Sequence, residues 1–373
     1  MIPDAEVLAA VASHEDALRE TMRFVHENPE LGHEEHRCSD YLCETLTHAG
    51  LEVERATAGL ETAFRATLGG GEAGSPASRS VGLVCLYDAV PAMRSDGRVE
   101  AVHSCGHGPI AGGVITAALA LSDLRERLAG TVVVVGCPAD EIHAPGTIAH
   151  GGGKARTADA GVWDGIDAAL YAHPEFIDTV TLESLWMRRD RATVSGSRSL
   201  RGAEQKPLEA ARASAEAERP GEVMLERLEL DGDVEEGTGL VARATFLIWS
   251  PDEAGIGERA ADLRAALPDA VWEEGPVVAG VRPDESVTAA VASAFRACGR
   301  GFVEDPPPLP FATDFGNISQ RVPAALIGIG REGGWAFHSD EGAAQFASPD
   351  GADAALALAR VLALAAVRLT EPA

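Results

Sequence analysis

The sequence is poor in lysine, in aromatic residues and in basic charge generally. Only Lys154 and Lys206 occur, and the 31 basic residues face 58 acidic ones, for a net charge of −27. Such a surface repels polyanions, which excludes sequence-independent binding to nucleic acid or anionic lipid. Aromatics make up 5% of the 373 residues, so the core must rest on aliphatic packing and close Ala and Gly contacts. The six cysteines (Cys38, Cys43, Cys85, Cys105, Cys137, Cys298) form no CxxC pair. That scatter fits a reduced, cytoplasmic protein, where an unusual cysteine is a ligand or nucleophile before it is half of a disulfide. The opening MIPDAEVLAAVASHEDALRE has no basic n-region and does not read as a signal peptide. Long apolar runs are also missing. The longest, ADAALALARVLALAAVRL, is broken by Arg360 and Arg368 and reads as a buried terminal helix, so no membrane partner is expected. No internal repeat is present.

What is there is an alternation of strand and helix. Residues 13–49 carry helical spacing, interrupted at Asn28-Pro29 and Gly32. A short strand, LEVERA, leads through a Gly/Ser-rich loop to VGLVCLYD (81–88), a continuous apolar run suited to a strand buried on both faces. A helix over about 109–128 follows, then buried strands GTVVVVGCP (130–138) and AALYAH (168–173). The order predicts an α/β domain with a mostly parallel sheet. From about Met187 to Gly280 the order becomes β-α-β-β-α-β, a ferredoxin-like unit whose strands alternate polar and apolar residues. A helix (SVTAAVASAFRACG), a buried strand (PAALIGIG) and the terminal helix then return to the first style. The expected organisation is a discontinuous domain, 1–183 and 284–373, with an inserted domain at 184–283.

The polar residues that end the buried strands carry the chemistry. VGLVCLYD ends in Asp88, GTVVVVGCPADE in Asp140 and Glu141, and AALYAH in His173, while His338 lies beyond PAALIGIG. In an open parallel sheet ligands bind at the carboxyl ends of the strands, so these groups are candidates for one crevice. His103-Ser104-Cys105-Gly106-His107 falls just before a helix N-terminus, and Cys and His are both good zinc ligands. Singly, each has a plain structural reading: Cys105 as a small buried hydrophobe, His173 as a core imidazole, Asp140-Glu141 as a solvated helix cap. Together they are too particular for fillers and caps.

These segments, HSCGH, PADE, AHPE, TDFGNIS and FHSDEGAAQF in that order, resemble the signatures of the M20 metallopeptidase family. The resemblance points to the amidohydrolases that cleave N-acyl amino acids, aminobenzoyl-glutamate and certain dipeptides. HENPELGHEE (26–35), YDAVP (87–91) and the GGGK-to-HPE stretch extend it over nearly the whole chain. It implies metal-dependent hydrolysis of a small amide at a two-metal site, usually zinc, sometimes manganese or cobalt. Cys105, His107, Glu141, His173 and His338 stand at the ligand positions, and Asp88 where a carboxylate would orient a ligand histidine. Asp140 stands at the general base, and Asp314, Asn317 and Arg198 are candidate substrate contacts. The resemblance further implies that 184–283 is a lid and the dimerisation surface of a homodimer.

Four departures stand out. Asp140 replaces a glutamate, one methylene longer, and Gly108 an acid or amide after CGH. The lid's GxxAHA segment aligns with Gly196-Ser197-Arg198-Ser199-Leu200-Arg201, so its histidine is missing and Arg198 or Arg201 would have to substitute. IHAPGTIAH (142–150) inserts His143 and His150 between PADE and GGGK. Three further motifs carry little weight. GGGK (151–154) lacks P-loop spacing, GHGPIA (106–111) follows no convincing strand, and His33-Glu34-Glu35-His36 reads as an exposed helix start. Two rival functions remain: a catalytically altered or inactive binding protein on the same scaffold, and a cysteine hydrolase with Cys105 as nucleophile.

Overall fold

The computed structural model describes residues 2–70, 78–196, 205–232 and 239–371. The chain divides into two compact units. One comprises Met1–Glu183, Val281–Pro307 and Asn317–Ala373, and the other Ser184–Gly280 and Pro308–Gly316.

The strands in chain order are β1 (Glu52–Arg55), β2 (Phe64–Gly69), β3 (Ser80–Cys85), β4 (Val90–Met93), β5 (Val99–Val102), β6 (Thr131–Gly136), β7 (Ala168–Glu175), β8 (Trp186–Ser195), β9 (Val223–Asp231), β10 (Val241–Ser250), β11 (Val271–Val278) and β12 (Ala324–Gly330). The first unit holds a six-stranded sheet of order β1-β2-β6-β3-β7-β12. Strands β6, β3, β7 and β12 run parallel, and β1 and β2 form an antiparallel margin. The parallel strands are buried runs of β-branched and small residues, such as the five consecutive buried positions of β6. Helices His107–Asp123 and Pro349–Thr370 pack closely because small residues meet there. A Cβ on Gly113 would lie 2.8 Å from the Leu358 Cβ; against a third helix, Glu15–Glu27, one on Gly112 would lie 2.7 Å from the Met22 Cγ.

The second unit is an antiparallel sheet of order β11-β8-β10-β9 with helices Gln205–Glu216 and Glu253–Ala266. Its core gathers Phe246, Ile248, Ile256, Ala260 and Leu263. The succession is β-α-β-β-α-β, the ferredoxin-like pattern expected from alternation.

The break expected at Asn28-Pro29 and Gly32 separates two helices, Glu15–Glu27 and His36–His48. Several local features differ from expectation. A further helix, Asp4–Ala12, precedes these two. β2 and the β4–β5 hairpin add to the strands expected from apolar runs, and the segment IHAPGTIAH contains a short helix, Pro145–His150. Pro308–Gly316 joins the second unit although its neighbours in sequence belong to the first. Among the described residues no helix is long and apolar enough to cross a membrane.

Candidate metal centre

Register brings the strand ends together. Cys85 at the end of β3 pairs with Gly136 at the end of the parallel β6, so the segments leading to Asp88 and to Asp140-Glu141 leave the sheet together at its carboxyl end. His173 lies near the end of β7, paired with Gly328 of β12, whose following loop carries His338. The His338 N–H donates to the Ser104 carbonyl at 2.9 Å, fixing that loop on the segment that carries Cys105 and His107.

The side chains converge. His338 Nε2 is 3.3 Å from Cys105 Sγ and 3.7 Å from Glu141 Oε2. His173 Nε2 is 3.8 Å from the same sulfur, and its Nδ1 donates to the Pro174 carbonyl at 2.6 Å. His107 Nδ1 donates to the Asp88 carbonyl at 2.7 Å and sits 2.9 Å from Asp88 Oδ1, which turns Nε2 toward the cluster. Asp88 Oδ2 also accepts the Glu141 N–H at 3.0 Å, so one buried carboxylate orients two candidate ligands. Two groups of donor atoms, Cys105-His107-His173 and Cys105-Glu141-His338, lie within 4.8 Å and share the sulfur.

The electrostatics suit a cation. His107 Nε2 and Glu141 Oε1 are buried without hydrogen-bond partners, 3.8 Å from each other. Leaving such atoms unpaired is costly, and a divalent ion would satisfy both. Burial pushes the Glu141 carboxyl up to about 7, with the His107 charge acting against it. Burial opposes a charged His107, yet Asp88 and Asp140 outweigh it and hold the imidazole well above its ordinary value. A thiol, imidazoles and a carboxylate make a donor set suited to zinc-like ions rather than calcium or magnesium.

Asp140 follows Ala139, which sits at a left-handed φ of 57° that a non-glycine residue adopts only at a cost of about 1–2 kcal/mol. The turn is held from outside. Glu35 Oε1 accepts the Ala139 N–H at 2.8 Å and Glu35 Oε2 the Thr62 hydroxyl at 2.9 Å. Glu35 is fully buried, which corrects the exposed helix start expected for residues 33–36; only Glu34 and His36 of that run are exposed. Its partner lies 104 residues away and leaves no local trace. Lys154 likewise escapes a reading that weighs GGGK only as a phosphate loop.

Burial, then the Asp88 charge, push the Glu35 carboxyl up to about 8 from its ordinary 4.5. The folded chain therefore binds this proton more tightly than the unfolded chain. The contribution to stability is fully present below pH 4.5 and is lost as the pH rises through about 8. In chelator-treated protein, urea melts across that interval should show stability falling with pH, and Glu35→Gln should flatten the slope. Parallel profiles for variant and wild type would contradict this.

Of the remaining candidates, Asp314 is buried in the second unit and Asn317 is half-buried in the first. Arg198 and Arg201 lie outside the described residues. Beside the insertion, His33 Nε2 meets the Gly151 carbonyl at 2.9 Å, and the rings of His33 and His150 meet edge-on, 5.6 Å apart.

Residues 87–364 match the model of peptidase family M20/M25/M40. The chain belongs to that family. A mouse (Mus musculus) Xaa-Arg dipeptidase is 35% identical over 160 residues, 41% of this chain and 33% of the relative. A p-aminobenzoyl-glutamate hydrolase chain of Escherichia coli K12 is 30% identical over 160 residues, 40% of this chain and 30% of the relative. The matches thus span about a third of these relatives' length. A dinuclear metal-binding M20 peptidase from Bacillus subtilis shares the fold, with a TM-score of 0.72, 18% identity and coverage of 97% of this chain and 100% of its own.

Proposed function

We propose that this M20 protein hydrolyses the amide bond of an N-acyl amino acid or dipeptide-like small molecule. In this reading it uses up to two divalent metals, zinc first and manganese or cobalt as alternatives, held by Cys105, His107, Glu141, His173 and His338. The observation that carries the reading is the pair of buried, unpartnered ligand atoms, His107 Nε2 and Glu141 Oε1, facing each other beside Cys105. Metal bound there would acidify a water and polarise the scissile carbonyl. The chain's own groups do the rest. Asp88 keeps His107 in one tautomer through Nδ1, and the Pro174 carbonyl does the same for His173. Asp140 turns Oδ2 toward His107 Nε2, 3.4 Å away, where it accepts the proton of the attacking water and returns it to the departing amine.

The cysteine-hydrolase reading fits less well. A nucleophilic thiol needs cationic surroundings, whereas burial and the adjacent Glu141 push Cys105 upward. His103, a candidate base two residues before it in sequence, is buried and pushed down to about 3 by burial and the His107 charge. One observation favours a non-catalytic binding protein instead. Burial raises Asp140, but Lys154 and His107 outweigh it and hold the carboxylate well below its usual range, which weakens it as a base. The hydrolase reading also makes the second unit a lid and dimerisation surface of a cytoplasmic homodimer.

The test is a panel of N-acyl amino acids and dipeptides offered to protein loaded with zinc, manganese or cobalt. Turnover of at least one substrate, lost on chelation, supports the proposal. Metal binding without turnover, even in Asp140→Glu, selects the binding protein. Inactivation by iodoacetamide with no loss on chelation selects the Cys105 nucleophile.

A further inference from the structure

One of the chain's two lysines has no contact with solvent. Lys154 is 0% exposed, and an ammonium so placed is tolerated only when paired. Its Nζ forms an ion pair with Asp140 Oδ1 and stands 5.2 Å from the centre of the Tyr171 ring. The backbone fixes this meeting. The Gly153 N–H donates to the Pro138 carbonyl at 3.0 Å, and a Cβ at 153 would lie 2.0 Å from that oxygen. The first turn of helix Gly153–Asp159 is therefore pressed against the turn that carries Asp140. The two oxygens of Asp140 are divided: Oδ1 is held by Lys154, and Oδ2 faces His107 Nε2 at 3.4 Å.

We propose that Lys154 is a positioning residue that pins the short Asp140 side chain with Oδ2 turned into the metal centre. This rests on Asp140 being the general base. An aspartate has less reach than a glutamate, so a small rotation of its carboxylate takes the accepting oxygen off line, and catalysis is sensitive to such misplacement. Lys154, locked by Tyr171 and by the Gly153–Pro138 contact, removes that rotation. It touches no reacting atom itself.

The experiment is a double-mutant cycle on full-length, metal-loaded protein with Lys154→Met and Asp140→Asn, reading kcat, KM, metal equivalents and thermal midpoint. Lys154→Met is expected to lower kcat by about 10–100-fold at unchanged KM and unchanged metal content. In the Asp140→Asn background the same substitution should have no further effect on kcat, because nothing is left to position. Lys154→Gln, which keeps a donor toward Asp140, should recover part of the loss. If Lys154→Met does not fold, Lys154→Gln is compared in both backgrounds by the same criterion. An equal fall in kcat with and without Asp140, or a fall matched by lost metal, overturns the positioning role and leaves a structural one. Unchanged kcat in the lysine variants, with Asp140→Asn impaired, overturns it while sparing the hydrolase reading. Undiminished turnover in Asp140→Asn removes the general base, and the proposal with it.

Discussion

If Asp140 is the general base, as proposed, Asp140→Asn is expected to lower turnover by about 10²–10⁴-fold, or roughly 3–5 kcal/mol in the barrier, with metal content unchanged. The amide keeps the size of the side chain but cannot take a proton, so the water loses its acceptor and the departing amine its donor. Glu141, the adjacent ligand candidate, is held by Asp88 through its own N–H and should stay in place. The variant carries a second cost: the buried Lys154 loses its ion pair with Asp140, so the folded protein should also be less stable. Rates must therefore be compared at a temperature where both proteins are folded. Asp140→Glu is the informative partner. The native carboxylate fits between Lys154 and His107, and an added methylene would push it into one of them. A modest loss is expected. A gain on Asp140→Glu would mean that the aspartate marks decayed catalysis.

On the proposed ligand set, combined His107→Ala and His173→Ala substitution is expected to remove most bound metal. Each histidine has Nδ1 committed to a main-chain carbonyl, and only Nε2 is left to bind. Both contribute to the donor group that includes Cys105, so their joint loss leaves the thiol alone there. Elemental analysis of the purified variant beside wild type checks this. Full retention of metal would take both residues out of the site.

Much of the fold is written locally. The parallel strands announce themselves as unbroken apolar runs, and polar residues at their ends are visible wherever such a run stops. The ferredoxin-like unit follows from the switch to alternation after Met187. The first unit's β2 is harder to see: FRATLG alternates polar and apolar residues but is only six residues long and runs straight into a glycine-rich loop. Glu35 and Lys154 are illegible for a different reason. A charged side chain looks exposed in sequence unless its partner is seen, and the partners here are the Ala139 N–H and the Asp140 carboxylate, brought near only by the fold. The PADE segment can be matched to a motif, but the left-handed Ala139 that aims it is visible only in three dimensions.

One titration tests metal-dependent hydrolysis most directly. Chelator-stripped wild-type protein is titrated with zinc while hydrolysis of the best panel substrate is followed. The account predicts a rate near zero at the start that rises and saturates at no more than two equivalents per chain. Full hydrolysis in the stripped protein, indifferent to added metal, would contradict it.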